Sequence, residues 1–481
     1  MNYSREKVTG LLKRSAPGGY LRSMEETSGE RNRLAGNETA ARTPELLSPK
    51  RKWLGYGVIT LSLLITFALW IGVMWRADDW YDDPWKYPAK VGSHGAIVLM
   101  CWAFILATRF RWVERLFGGL DKVYKTHRLV GECAFFLIFS HPICLALGHT
   151  NTTGEFFRFL WFSEDWARNT GLIALALFAL LVVLSIYVKI AYHLWKRSHN
   201  FFGILLVLIV IHAMIAGGEI TRYPTLAVWH GAWVAMGLAA FAYISFFYRL
   251  IGPQYDYTTQ SVKEVGDEVT EIHLAPAGRP LRSQPGQFVY ISFEADAVSK
   301  EPHPFSISSP PDARHLRLSI KRLGDWTEGV SEIKLGKSAR ISGPYGQFSR
   351  VLLKQANLTA VMIGGGIGIT PFLSIVGSAA FAGRSGRSML IYSTKDQASA
   401  VYRNELRKRA KEVPTLTLVE HYSDETDYID RAYLERLLDQ PLREHLFMIC
   451  GPAPMMDGLR AFLTDAGVKS KQILTEDFEI R

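Results

Sequence analysis

Four histidines set the chemistry of this 481-residue chain. His127 and His141 stand 14 residues apart in one apolar stretch, and His199 and His212 stand 13 apart in another. Ionisable side chains inside membrane segments are costly and tend to be functional. Imidazole is a common axial ligand of haem iron. Two helices with two histidines each can therefore hold two haems, one stacked above the other across a bilayer. His127 would pair with His199, and His141 with His212. At about 1.5 Å rise per residue, the two members on each helix are roughly 20 Å apart, which suits a hydrocarbon layer of about 30 Å. One detail resists a regular helix. A 14-residue step nearly returns to the same face, whereas a 13-residue step falls well short. Either His199 sits in an irregular first turn or the fifth helix is distorted.

The elements that must position these histidines are apolar runs of membrane length, roughly 20 residues each. Six are expected, near 53–75, 91–108, 128–148, 171–191, 200–217 and 227–248. The third carries Pro142 internally, tolerated in a membrane helix at the cost of a bend. Basic residues set the orientation. Lys50, Arg51 and Lys52, then Arg109, Arg111, Arg115, Lys122 and Lys125, then Lys189, Lys196 and Arg197, and finally Arg249 fall on one side. The first opposite loop holds Asp78, Asp79, Asp82 and Asp83. Both termini are expected in the cytoplasm of a multi-pass cell-membrane protein. Trp70, Trp75, Trp161, Trp166 and Trp229 would form an outer aromatic belt. His94, His149 and His230 read as interfacial polar residues. Arg76, Glu219 and Arg222 read as outer loop charges.

The net charge is +10. Much of the basic excess lies beside apolar segments, which favours a lipid bilayer over nucleic acid as partner. The four cysteines, Cys101, Cys133, Cys144 and Cys450, form no CxxC pair, which argues against a disulfide framework or structural zinc. Residues 1–50 are polar and mixed in charge, with no apolar core for a signal peptide. They read as a disordered tail.

The flank beyond Gly252-Pro253 reads as soluble protein. Residues 253–354 alternate short apolar segments with Gly, Pro and Asp, the pattern of a small antiparallel barrel. Residues 355–481 alternate strand-like and helix-like segments, as in a doubly wound α/β domain. The barrel segment holds His303, Pro304, Phe305, Ser306, Ile307, Ser308 and Ser309. Such a strand, with an aromatic and small hydroxyls, can pack along a flavin ring. Lys321, Gly324, Asp325, Trp326 and Thr327 follow, a glycine turn with hydroxyl and cation able to receive a pyrophosphate. In the α/β segment a strand runs into Gly364, Gly365, Gly366, Ile367, Gly368, Ile369, Thr370 and Pro371. A glycine-rich strand-to-helix turn lets backbone N–H groups approach a phosphate. Ser393 and Lys395, with Arg403 nearby, can bind the 2′-phosphate of NADPH, or can be ordinary loop residues. Cys450, Gly451 and Pro452 end a buried strand at the expected ligand crevice.

These motifs together resemble the ferric reductase and NADPH oxidase superfamily over about residues 53–481, in its domain order. The soluble part separately resembles a ferredoxin–NADP reductase module. The resemblance implies a six-helix ferric reductase-like bundle over 51–250, an FAD-binding β-barrel and an NAD(P)-binding α/β domain. It implies haem b ligation by His127, His141, His199 and His212. HPFSISS would be the flavin strand and Gly324 to Thr327 the turn near the FAD phosphates. Gly364 to Pro371 would be the nicotinamide dinucleotide loop. Cys450 to Pro452 would lie near the nicotinamide ring, with Phe478 placed against the flavin. Leu145 stands where animal oxidases carry a further histidine, a departure at the oxygen-reduction site.

The function expected is transmembrane electron transfer from cytosolic NADPH, in preference to NADH, through FAD and two b haems to an acceptor outside. Ferric chelate and dioxygen both fit an exposed haem edge. Two other readings are an electron-donor subunit for an extracellular redox protein and a non-catalytic haem sensor. Intact HPFSISS, GDWT and GGGIGITP motifs argue against the sensor.

Overall fold

The computed structural model describes residues 50–476 apart from 189 and 191. The tail, Lys189 and residues 477–481 with Phe478 lie outside the described residues. Six helices are long and apolar enough to cross a membrane: Trp53–Ala77, Lys86–Ala107, Leu120–His149, Trp166–Ile186, Leu194–Ala216 and Pro224–Phe247. They are numbered here as spans one to six. Span two is mostly buried among its neighbours, while the other five leave most of their surface outward. Leu61, Leu64, Leu180, Val207 and Ile211 are among the exposed apolar side chains. Apolar faces of this kind suit lipid rather than water. The chain is a multi-pass membrane protein.

Close backbone approach sets the central packing. A Cβ on Gly92 of span two would meet the Leu137 carbonyl of span three at 2.5 Å. Small residues at such crossings let membrane helices approach closely. Span three is one helix of 30 residues through Pro142. Span five is not continuous. Tyr192–Asn200 and Phe202–Ala216 are separate helices. At the junction the Phe201 N–H turns to the Ser198 carbonyl, three residues back. The break lies just after His199, between the two histidines whose 13-residue spacing departs from a regular helix.

The soluble module begins with six antiparallel strands: β1 (Gln254–Val265), β2 (Val269–Pro276), β3 (Phe288–Phe293), β4 (His303–Ser306), β5 (Leu316–Lys321) and β6 (Ser338–Tyr345). Their order is β4-β3-β6-β1-β2-β5, and an Ile307–Leu318 bridge joins the ends into a barrel. A parallel sheet follows: β7 (Ala360–Gly365), β8 (Ser388–Thr394), β9 (Leu416–Tyr422), β10 (Leu446–Cys450) and β11 (Ile473–Thr475), in the order β11-β10-β7-β8-β9. Buried on both faces, β7 and β10 are almost wholly apolar, as parallel strands are. Arg317 of the barrel grips Glu405 of the α/β domain through two 2.9 Å bonds.

The barrel also docks on the membrane bundle. Glu114, between spans two and three, accepts the Gly346 N–H at 2.8 Å. The span two–three connection therefore lies on the side of the soluble module. Span three starts there, so His127 lies toward the soluble module and His141 toward the far side.

Candidate functional site

Each of the four histidines has its Nδ1 engaged. His127 Nδ1 is 2.9 Å from the Ala103 carbonyl of span two. His141 Nδ1 is 2.8 Å from the Ala89 carbonyl, also of span two. His212 Nδ1 is 2.9 Å from the Ala167 carbonyl of span four and 3.3 Å from Thr170 Oγ1. His199 Nδ1 is 3.1 Å from Ser185 Oγ of span four. A carbonyl can only accept, so at three of the four rings Nδ1 carries the proton. The Nε2 lone pair is left to face a metal, and metal-ligating histidines characteristically donate their other ring N–H in this way.

The His127 and His199 rings face each other across spans three and five with centroids 5.9 Å apart. Metal–imidazole bonds are about 2 Å long, so at this separation the two imidazoles are close enough to hold one metal centre between them. Trp195 stacks on His199 at 5.0 Å and Phe202 closes its other side at 4.9 Å. His141 and His212 are near enough to each other and to Lys90 to feel their charges. Gly171 lies under the His212 ring, where a Cβ would come within 2.8 Å of Cε1. The absence of a side chain at Gly171 and the Ser185 and Thr170 hydroxyls were not found from sequence; an i, i+4 count from the neighbouring span holds no sign of them.

Several outer-side expectations need correction. His94 and His230 are not interfacial. Both are buried, and His94 Nδ1 lies 3.0 Å from His230 Nε2. His149 is exposed, as an interfacial residue would be, with Nδ1 2.9 Å from the Leu145 carbonyl. Glu219 is not a solvated loop charge. It is buried, salt-bridged to Lys90 at 2.6 Å and bonded by the Tyr81 hydroxyl. Burial alone would raise its carboxyl, but the Lys90 charge and these bonds hold it below the ordinary value. Arg222 pairs with Asp79 at 3.2 Å. Trp75, Trp161 and Trp166 are exposed, whereas Trp70 is buried and Trp229 donates inward to Thr66 Oγ1.

In the barrel the two motifs meet. Trp326 stacks on Phe305 at 5.5 Å and on His303 at 4.3 Å. Its turn is fixed by Thr327, whose hydroxyl accepts the Leu323 N–H and donates to the Gly324 carbonyl. Asp325 is exposed at the start of the short helix Asp325–Glu328. Lys321 salt-bridges Glu268 at 2.9 Å. Ser306 and Ile307 are buried, and Ser308 turns inward to bond Ser319 Oγ at 2.9 Å. Pro304 pairs across the ladder with Tyr290. Burial and the nearby Lys196 charge push the His303 imidazole down to about 4. Lys196 precedes His199 by about one helical turn, so the HPFS strand sits beside the entry to span five.

In the parallel sheet the chain leaves β7 toward β8 on one side and returns through β10 on the other, making the β7–β10 boundary the switch point. Ligands bind there, outside the carboxyl ends of the strands. Gly364 pairs with Cys450 across this boundary. A Cβ on Gly368 would strike the Cys450 carbonyl at 2.3 Å, and one on Gly451 would meet the Gly365 Cα at 3.1 Å. Gly366 has φ +53 with open space around it, a left-handed conformation that favours glycine. Thr370 and Pro371 begin the buried helix Thr370–Gly377, and Pro452 the helix Ala453–Asp465. Ser393 is the last residue but one of β8, with Oγ 3.0 Å from His421 Nδ1, and Lys395 is exposed just beyond the strand.

Residues 92–210 match the model for a ferric reductase like transmembrane component, which encloses His127, His141 and His199 and ends two residues before His212. Residues 254–365 match an FAD-binding domain and 362–461 an oxidoreductase NAD-binding domain. The chain thus joins a ferric reductase-like transmembrane component to FAD- and NAD-binding domains, the layout of a ferric reductase or NADPH oxidase-like oxidoreductase. Dual oxidase 2 of Rattus norvegicus is 30% identical over 251 residues, covering 48% of this chain and 15% of that protein. The flavohemoprotein of Bacillus anthracis is 26% identical over 46% of this chain and 59% of its own length. The ferredoxin reductase component of the 3-ketosteroid-9-alpha-monooxygenase of Rhodococcus rhodochrous is 28% identical over 40% of this chain and 56% of its own. The chain thus spans somewhat over half of the length of the last two. The FAD/NAD-binding domain of nitric oxide dioxygenase from Vibrio cholerae superposes with TM-score 0.40 and 23% identity, over 46% of this chain and 97% of that one.

Proposed function

We propose that this protein carries electrons from NADPH on the cytoplasmic side of the cell membrane to a small acceptor on the other side, a ferric chelate or dioxygen. His127 with His199 would hold an inner b haem, and His141 with His212 an outer one. FAD would lie against the HPFS strand with its phosphates at Gly324–Thr327. Both termini would be cytoplasmic, as the basic residues on the soluble-module side favour. The observation that carries the reading is the set of four Nδ1 atoms already satisfied, together with the 5.9 Å approach of the His127 and His199 rings.

The bound flavin and haems supply the redox chemistry, by hydride and then single-electron transfer. The chain's own residues bind and orient. Ala103, Ala89, Ala167 and Ser185 fix the imidazole planes. Gly364 to Thr370 offer backbone N–H groups to the nucleotide pyrophosphate, opposite Cys450 to Pro452. Ser393 and Lys395 favour the 2′-phosphate of NADPH. Phe478 would cover the flavin until the nicotinamide displaces it.

The test is the absorption spectrum of the purified full chain, followed by NADPH addition. Soret and α bands of b-type haem that reduce with NADPH support the reading; their absence after haem supplementation overturns it. Production of ferrous iron against superoxide by reconstituted protein then assigns the acceptor.

A further inference from the structure

Arg109 occupies an unusual place. It stands in the connection between spans two and three with φ +58. Non-glycine residues persist in this left-handed region when their surroundings over-determine them. Its guanidinium lies over the Tyr290 ring, 4.0 Å from the centroid. Four tyrosines dominate its electrostatic surroundings: Tyr124, Tyr290, Tyr345 and Tyr248. They come from different parts of the chain. Tyr124 belongs to span three, Tyr248 follows span six, Tyr290 lies on β3 and Tyr345 on β6. Their hydroxyls pair across the junction, Tyr124 with Tyr290 at 3.3 Å and Tyr248 with Tyr345 at 3.0 Å. Neutral rings and hydroxyls can stabilise a cation without cancelling its charge, as a carboxylate would.

The position of this charge is specific. Tyr290 pairs with Pro304 of the HPFS strand. Tyr124 precedes His127 by three residues, one turn along span three. The cation therefore lies where the barrel strand that borders the flavin site meets the helix that carries the inner ligand.

We propose that Arg109 is a positioning residue for electron entry into the membrane: its caged guanidinium places a fixed positive charge beside the inner haem site and stabilises the electron there. The inference rests on the flavin and haem sites proposed above. The two electrons of the NADPH hydride cross singly, and the hydride's proton remains on the soluble side. Each crossing adds one negative charge to the inner site. A nearby cation, half-buried among aromatic rings, favours that charge. The outer site lies roughly 20 Å further along the helix and feels it far less.

The experiment is a spectroelectrochemical titration of both haems in full-length protein in lipid. Arg109→Gln should lower the midpoint potential of the inner haem and leave that of the outer haem in place. Arg109→His makes the charge switchable. Its inner potential should approach the wild-type value at pH 5.5 and the Arg109→Gln value at pH 8, whereas the gap between the two haems in wild type should stay constant over this range. A purely structural role for Arg109 would produce no such switch. Should Arg109→Gln not assemble, the two pH values of Arg109→His carry the test alone. An inner potential equal to wild type in these variants at both pH values overturns the proposal. A wild-type protein without b-type bands would instead overturn the function on which it rests.

Discussion

The His141 imidazole donates its Nδ1 proton to the carbonyl of Ala89, 2.8 Å away on the neighbouring span. A helix carbonyl is already committed to its own ladder, so it reaches a second donor only where two helices run very close. Gly92 permits that approach beside Leu137. The orientation of the His141 ring is thus set by span two, while that of His212 is set by Ala167 and Thr170 of span four.

This arrangement gives the two pairs separable fates. His141→Ala or His212→Ala should remove the outer haem and electron delivery to an external acceptor, while the soluble module still reduces a soluble dye with NADPH. Haem content of the purified variants, by pyridine haemochrome, should fall to about half. Wild-type haem content in either variant would sink the ligand assignment.

Gly171→Ala tests the seat of the His212 ring. The added methyl would meet Cε1 at 2.8 Å, so the imidazole must shift. Loss of the outer haem signal is expected, with the inner signal intact. Overpacking typically costs about 1–3 kcal/mol, less than His212→Ala should perturb the site. The α-band spectrum of the two variants side by side makes the comparison.

Coenzyme choice follows from the end of β8. Hydrogen bonds to charged groups contribute about 1.5–3 kcal/mol, roughly ten- to a hundred-fold in affinity. Lys395→Ala should therefore lower kcat/KM for NADPH by at least about tenfold and leave that for NADH unchanged. Ser393→Ala should act in the same direction but less, since His421 already occupies part of its hydroxyl. Equal loss with both coenzymes would remove the 2′-phosphate role.

The docking surface should be sensitive to alkali. Glu476 is buried with Oε2 unpartnered among the described residues, and it lies against Gly346, whose N–H bonds Glu114. Burial, with the charges of Asp121 and Glu114, pushes the Glu476 carboxyl well above its ordinary 4.5. Burial also raises Glu114, against the pull of the Gly346 N–H. Both groups bind protons more tightly folded than unfolded, so stability falls as pH rises. The contribution is full below the ordinary carboxylate range and is lost as pH climbs through the raised values. Glu476→Gln should flatten that decline in thermal unfolding of detergent-solubilised protein between pH 5 and 8. A slope equal to wild type would refute it.

Much of this architecture is legible in the residues because the signals are local. The spans follow from apolar length, the glycine turns from strand ends rich in glycine, and the four candidate histidines from paired spacing. What escaped was long-range. His94 and His230 form one buried pair, yet 136 residues separate them, and each alone looks like a polar residue near an interface. Span two was expected from residue 91 and begins at Lys86, because Lys90 reads as a loop charge until Glu219 is seen beside it. Arg109 looked like an ordinary member of a basic connection, and nothing local singled out Glu114. Their contacts arise only when a barrel 180 or more residues later folds against them. The 13-residue step was the one local trace of a distortion, and it did mark the interruption at Phe201.

That interruption has a mechanical meaning. A single stiff rod would tie the tilt of one imidazole to that of the other, and any rocking of the half beside the FAD and nucleotide domains would be felt at both rings. A joint between them lets the lower segment follow its surroundings while the upper stays moored in lipid. The two ends of the wire can then be tuned, and can fail, one at a time.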